Sequence, residues 1–489
     1  MYERSKLSDH KFEKGKLITP INTIVSEMVK EESWYYGRIP EYIWLGLIIS
    51  HGERLEQIEK CRKILNYLST TDKNNSVTLP KMSLIFEMDD PEQNAFYALL
   101  SELNVVKALE PLSLIYSDIS DKFIKAVKGH NSSIEKRIDD LNDMLDKLTD
   151  HQSNLSTDIR YLILYKATLS FNFKIFHEST IDEAMLNYHK TSHDDPIMKM
   201  YRPIVRSSEG ALAHIGLDEV GINLDFITEF WKKISLLTEC EVFYIKHEKN
   251  DKVDLNEYKN NVYKILKYFT KLLKETRPLD NKMLVLLGIA TYSYKRLIEL
   301  VDHNLENTIS GRTITRSIIE NYMMTKYLLQ NEKEHEDIWG EFQDYGIGNF
   351  KLLHGRYYED NPQIEDSHVH YNIIEILVSE FKREEFIDID TSYFGKGNIR
   401  NKFKEVDEEN LWKFYYDYDS AYEHGLWGAI RESSLLKCSA PGHLYHVIPD
   451  IDDLQKLPSV ANDCVMVMNK HLKLLKNQYN LTDSLWEGL

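Results

Sequence analysis

"SGRTITRSIIENYMMTKYLLQ", residues 310–330, is the stretch on which the fold turns. At 100° per residue its apolar side chains (Ile314, Ile318, Ile319, Tyr322, Met323, Met324, Tyr327 and Leu328) cover most of a helix circumference. A helix apolar nearly all round belongs in a core, packed against several others. Arg312, Arg316 and Glu320 nevertheless share one side of it. Arg316 and Glu320 stand at i and i+4 and can meet on the surface. Charges are costly to bury unless paired or used, so this is either an ion pair bracing a bundle or part of a site. The ion pair is the plainer reading.

Working outward, the remainder of the chain is also helical in pattern. Its 489 residues exceed one ordinary core and imply more than one domain. Glycine (20) and proline (12) occur at roughly half their usual frequency, which favours long helices joined by few turns. Apolar-periodic segments run over about 217–246, 254–276, 279–303, 307–331, 333–358, 367–383, 408–431 and 456–477. Upstream, "IPEYIWLGLIISHGERLEQIEKCRKILNYL" opens with Pro40 at a helix start and continues to Leu68 without another proline. Ile134, Ile138, Leu141, Leu145 and Leu148 form a seam too short for a coiled coil, so this is an amphipathic helix of its own domain. Between His193 and Gly216 the helical period weakens around Pro196 and Pro203. The expected organisation is an all-α protein: a helical domain over 1–195, a linker over 196–216 and a second helical domain over 217–489. "TSYFGKGNIRNKF", residues 391–403, follows no strand and reads as an ordinary loop.

A net charge of -18 argues against a global nucleic-acid-binding face, because such binding neutralises phosphates with Lys and Arg. Any RNA contact must use a local pocket. The four cysteines (Cys61, Cys240, Cys438 and Cys464) lie far apart in sequence, without zinc-knuckle spacing, so neither a disulfide framework nor a metal is expected. No apolar run reaches the ~20 residues a bilayer span needs, and the N-terminus lacks an apolar leader. A cytoplasmic protein without membrane contact is expected.

A second chemistry-bearing stretch is "NLWKFYYDYDSAYEHGLWGAIRESSLL". Read as one helix, it has Leu411, Phe414, Tyr415, Tyr418, Ala421, Tyr422 and Ile430 on an apolar side. Asp417, Ser420, His424 and Arg431 then fall along another stripe. This is no hydrolase triad, since Asp417 and His424 would stand roughly 10 Å apart along the axis and no GxSxG elbow is present. His424 remains as a group able to exchange protons near neutrality, or as a histidine serving a structural partner.

The blocks "LLGIATYSYKRLIELVDHN", "RTITRSIIENYMMTKYLL" and "NLWKFYYDYDSAYEHG" resemble, in that order, those of the bacterial family catalogued as domain of unknown function 5677 (DUF5677), over roughly 215–450. Its helical pattern is similar to the HEPN superfamily, many of whose members are metal-independent ribonucleases in anti-phage or toxin–antitoxin systems. The resemblance implies a HEPN-like C-terminal domain acting in antiviral or stress defence, including abortive infection. It implies RNA or a nucleotide as ligand, no cofactor and a homodimer, with Arg316 and Glu320 on one helix of the site and His424 on the facing one. His424 would serve as general acid or base and an Arg would stabilise charge on phosphorus. The chain departs from the superfamily's Arg-x4–6-His signature: the residue seven before His424 is Asp417, and none of those four to eight before it is Arg.

Two other functions compete. A non-catalytic helical scaffold or sensor could bind a protein partner through the N-terminal domain, or a nucleotide. A metal hydrolase could draw on His443, His446, Asp450, Asp452 and Asp453, with His368 and His370, though Pro441 and Pro449 argue against a helical HxxH and favour an ordinary loop.

Overall fold

The computed structural model describes residues 7–13, 15–18, 33–71, 77–129, 132–170, 178–214, 223–248, 253–275, 280–360, 367–379, 394 and 398–479. Helices dominate, with only short strands among these residues. None of the helices is long and apolar enough to cross a membrane. The chain forms two compact units, residues 1–243 with 437–447 and residues 244–436 with 448–489.

In the first unit, the helix Ile39–Ser50 is buried along almost its whole length, with Pro40 in its first turn where no amide hydrogen bond is lost. His51 and Gly52 break the expected continuous helix, and Arg54–Thr71 follows as a separate one. Residues 196–216, expected as a linker, instead hold the helix Met198–His214, which packs on Asn154–Leu169. Its buried positions Met198, Tyr201, Val205, Ser208, Glu209 and Leu212 keep helical spacing, but two of them are polar and dilute the apolar period. Glu209 is held by buried partners: Arg38 Nη1 donates to both its carboxylate oxygens at 2.6 and 2.9 Å, and Arg160 donates to Oε2. This polar knot ties three helical segments, and the divide between the units falls beyond it, at 243/244. The helix Ile134–Thr149 buries Leu141, Met144, Leu145 and Leu148 within this unit, as an amphipathic helix should.

The second unit is a bundle built on the helix Ile309–Asn331. Leu255–Glu275 packs on Asn281–Asp302, and Asn281–Asp302 and Ala461–Tyr479 pack on Ile309–Asn331. The central helix buries Ile314, Ile318, Ile319, Tyr322, Met323, Met324, Tyr327 and Leu328, as its all-round apolar character requires. Thr308 caps it, accepting a hydrogen bond from the Gly311 amide at 3.2 Å. Gly311 is needed for close approach: a Cβ there would lie 2.3 Å from the Leu305 carbonyl oxygen. Across the core, Thr325 Oγ1 meets His471 Nε2 at 2.9 Å. The same helix is tied outward by Glu408, which accepts from Tyr322 (2.5 Å), Lys326 (3.0 Å) and Lys470 (2.8 Å). Of the stretch expected as a loop at 391–403, the described part beyond Phe394 starts a helix, Ile399–Glu405, N-capped by Asn398; residues 391–393 and 395–397 lie outside the described residues.

Two of the four cysteines, distant in sequence, meet in space. Cys61 and Cys464 are buried apart, but Cys240 and Cys438, distant in sequence, bring their sulfurs to 3.6 Å within the first unit. Linear spacing could not show this, because an antiparallel strand pairing sets Val242 opposite Cys438.

Candidate functional site

Two elements of the second unit build the candidate site. The central helix presents Arg312, Arg316 and Glu320 on successive turns. Facing it, the expected single helix over 408–431 is divided into shorter pieces. Residues Trp412–Tyr416 form a π-helical turn, Asp417–Glu423 is α-helical, and Trp427–Ser433 is a separate helix. The break follows from Gly425, at φ +57°, where the chain closes a Schellman motif: the Leu426 amide donates to the Ala421 carbonyl at 2.9 Å and the Gly425 amide to Tyr422 at 3.3 Å.

The wide turn and the break change which side chains share a face. Tyr416 and Asp419 point inward and are buried, whereas Phe414 and Tyr418, expected on the apolar side, are exposed. Asp417 and His424 are exposed, and Arg431 lies on the next helix. Of the candidate residues, the structure brings Arg316, Glu320 and Ser420 together, with Asp417 and His424 outside their hydrogen-bond network.

Tyr416 completes that network. Arg316 donates from Nε to Ser420 Oγ (3.0 Å) and from Nη2 to the Tyr416 hydroxyl (2.7 Å), and its guanidinium sits 4.7 Å from the Tyr416 ring centroid. The Tyr416 hydroxyl donates to Glu320 Oε2 at 3.0 Å, while Arg316 Nη1 is 3.7 Å from the same oxygen. Ser420 Oγ donates to the Tyr416 carbonyl at 2.6 Å, a helix back-bond that leaves it without a general base. Burial, with the Glu320 carboxylate beside it, pushes the Tyr416 phenol above its ordinary range against the opposing pull of Arg316. Tyr416 therefore stays protonated and serves as a donor.

Arg316 and Glu320 line an open cleft of about 500 Å³. Arg296, Tyr292 and Tyr345 add a second guanidinium and two rings to its wall, and Glu423 lines it from the facing helix. Arg296 Nη1 donates to Glu299 at 2.5 Å, but its Nε is buried without a partner among the described residues. His424, one residue beyond Glu423, is at the C-cap of that helix and exposed to solvent.

A second polar group lies deeper. Arg312 is buried, donating from Nη2 to the Pro458 carbonyl at 2.6 Å, and its guanidinium lies 5.8 Å from the Tyr422 ring centroid. Asp419, 4% exposed, is pushed up to about 7 by burial, with Asp463 raising it further and Arg312 and Arg316 opposing. Sequence reasoning missed Tyr416, Asp419 and Arg296. Tyr416 was within reach, since it stands four residues before Ser420 and so on the same stripe. Asp419 was not, because the π-helical turn alters the register.

The rival His and Asp groups divide between the units, His443 and His446 belonging to the first and His368, His370, Asp450, Asp452 and Asp453 to the second. Asp450 accepts hydrogen bonds from the amides of Leu454 (3.0 Å) and Gln455 (2.7 Å), as a turn-stabilising carboxylate. His443 and His446 lie in turns and not on a helix, in line with the prolines flanking them.

No curated protein and no solved structure matches the chain. A family model does, the "Family of unknown function (DUF5677)", over residues 283–443. The matched segment is narrower than the resemblance had suggested, yet it carries Arg296, Arg316, Glu320, Tyr416 and Ser420. Residues 283–443 of this chain, which hold both walls of the cleft, match the model of the DUF5677 family.

Proposed function

We propose that the second unit is a HEPN-like module that takes a ribonucleotide chain into the Arg316 cleft and cleaves it with His424 as the proton-transferring group. One observation carries the reading: two guanidinium groups, Arg296 and Arg316, line an open cleft together with the rings of Tyr292 and Tyr345. Single-stranded RNA is recognised by this combination, with arginines on phosphate and aromatic faces under bases. In a chain of net charge -18 a polyanion needs local guanidinium donors, and Arg296 and Arg316 supply them beside the carboxylates of Glu320 and Glu423. His424 follows Glu423, a residue of the cleft wall, and is exposed to solvent; in this reading its imidazole turns to the ribose when RNA is bound. The resemblance to HEPN proteins adds a role in antiviral or stress defence and a homodimer that pairs two clefts.

The mutual satisfaction of Arg316, Tyr416, Ser420 and Glu320 supports a second reading, a non-catalytic sensor whose cleft binds a nucleotide. Binding and chemistry separate the two. Fluorescence anisotropy with a labelled single-stranded RNA should give binding that weakens at least tenfold in Arg316→Ala and in Arg296→Ala, while His424→Ala binds like wild type. Binding unaffected by either arginine substitution would refute the cleft as the RNA site.

A further inference from the structure

The first unit contains a group of side chains that the proposed function does not use. Cys240, Cys438, His443 and His446 bring one ligand atom each to within 4.8 Å of one another. All four belong to residues of the first unit, although Cys240 and Cys438 are 198 positions apart in the chain. We propose that they form a tetrahedral zinc site of structural type, with two thiolates and two imidazoles as ligands.

The distances fit a central ion. Zinc at about 2.3 Å from sulfur and about 2.0–2.1 Å from nitrogen, in tetrahedral geometry, sets S···S at about 3.8 Å and S···N at about 3.6 Å. Here the two sulfurs are 3.6 Å apart, Cys240 Sγ is 3.5 Å from His446 Nδ1, and Cys438 Sγ is 3.5 Å from His443 Nδ1. The sulfur separation is far beyond the ~2.05 Å of a disulfide. The two imidazole rings lie 5.1 Å apart and nearly perpendicular, at 82°, so both Nδ1 atoms converge without stacking.

The surroundings orient the ligands as metal sites require. His443 Nε2 lies 2.9 Å from the Thr238 carbonyl oxygen and 3.2 Å from that of Ser235, at the C-terminal end of the helix Leu224–Leu237. Those carbonyls can only accept, so the His443 proton sits on Nε2 and Nδ1 presents its lone pair to the ion. Backbone pairing fixes the other positions. Val242 pairs with Cys438, the Cys438 amide donates to the His446 carbonyl at 3.3 Å, and the Ser439 amide donates to Glu241 at 2.9 Å. Gly442 lets the loop close on the helix end, since a Cβ there would meet Thr238 Oγ1 at 2.3 Å.

Two thiolates with two imidazoles select zinc over magnesium or calcium, which prefer oxygen ligands. Four protein ligands leave no open position, so the ion supports structure and not catalysis. Its role follows from chain topology: it clamps the returning segment 437–447 onto the first unit after a long excursion. Binding releases the two thiol protons, so occupancy falls with acid.

Full-length, tag-free protein purified without chelator tests this by elemental analysis. About one zinc per chain is expected, falling below about a tenth in Cys240→Ser and in His446→Ala, while the double variant His368→Ala, His370→Ala keeps its zinc. Should the ligand variants fail to fold, wild type stripped of metal and titrated with Co²⁺ provides the readout. Tetrahedral ligand-field bands and a thiolate charge-transfer band, both displaced by Zn²⁺, support the site. Absence of bound metal with no cobalt spectrum, a metal other than zinc, zinc retained in the ligand variants, or a Cys240–Cys438 disulfide in non-reducing peptide mapping would each overturn it.

Discussion

Asp419→Asn should stabilise the protein at pH 8 and do little at pH 4. The wild-type carboxyl is 4% exposed and moves from an ordinary 3.8 to about 7, chiefly through burial. The Asp463 carboxyl raises it further, and the Arg312 and Arg316 guanidiniums offset only part of this. At about 1.4 kcal/mol per pH unit, the ionised form costs at most on the order of 4 kcal/mol more in the fold than in the unfolded chain. Because the folded state holds a proton that the unfolded state has released, this group's contribution is complete below about pH 4. It is lost progressively as pH rises to about 7 and stays lost above. Asparagine keeps the shape and does not ionise. Urea unfolding followed by circular dichroism should therefore show the variant gaining ~2–3 kcal/mol on wild type between pH 5 and pH 8. An Asp419→Asn protein less stable than wild type at pH 8 would refute the reasoning, since it would mean that the carboxylate is ionised and held by Arg312.

Gly311→Ala should cost about 1–3 kcal/mol, read as a lowered urea midpoint, because its Cβ meets a backbone carbonyl that cannot step aside. Glu209→Gln should cost about 3–5 kcal/mol in the first unit by leaving Arg38 and Arg160 without their buried anion; a loss under ~1 kcal/mol would show that water takes over the role. Tyr416→Phe removes the hydroxyl between Arg316 and Glu320 and should cost about 1–3 kcal/mol in stability while changing RNA affinity less than Arg316→Ala does, which separates the brace from the binding group by comparing melts with anisotropy.

The bundle was legible because its evidence is periodic. The helices Leu255–Glu275, Asn281–Asp302 and Ile309–Asn331 fall within a few residues of the segments read from apolar spacing, and the central helix is buried as its circumference required. Arg316 and Glu320 were legible for the same reason, being charges on an otherwise apolar cylinder. Failures arose where geometry departs from one ideal helix. The π-helical turn at Trp412–Tyr416 and the left-handed Gly425 turned Asp417 and His424 outward and Tyr416 and Asp419 inward. Polar burial hid the helix Met198–His214, whose core face includes Glu209. The Cys240–Cys438 meeting depends on a strand pairing across nearly 200 residues, beyond any local pattern, although Cys438, His443 and His446 stand close enough together in sequence to have been grouped.

The most direct test of the account is RNA cleavage by wild type, His424→Ala and Arg316→Ala, with the 3′ ends of the products determined. The reaction should be run without added divalent ions and without chelator, so that the proposed zinc clamp is left in place. The account predicts 2′,3′-cyclic phosphate ends from wild type, with cleavage lost in both variants while each keeps its fold. Cleavage that persists in His424→Ala, or RNA bound by wild type but left uncut, would contradict it.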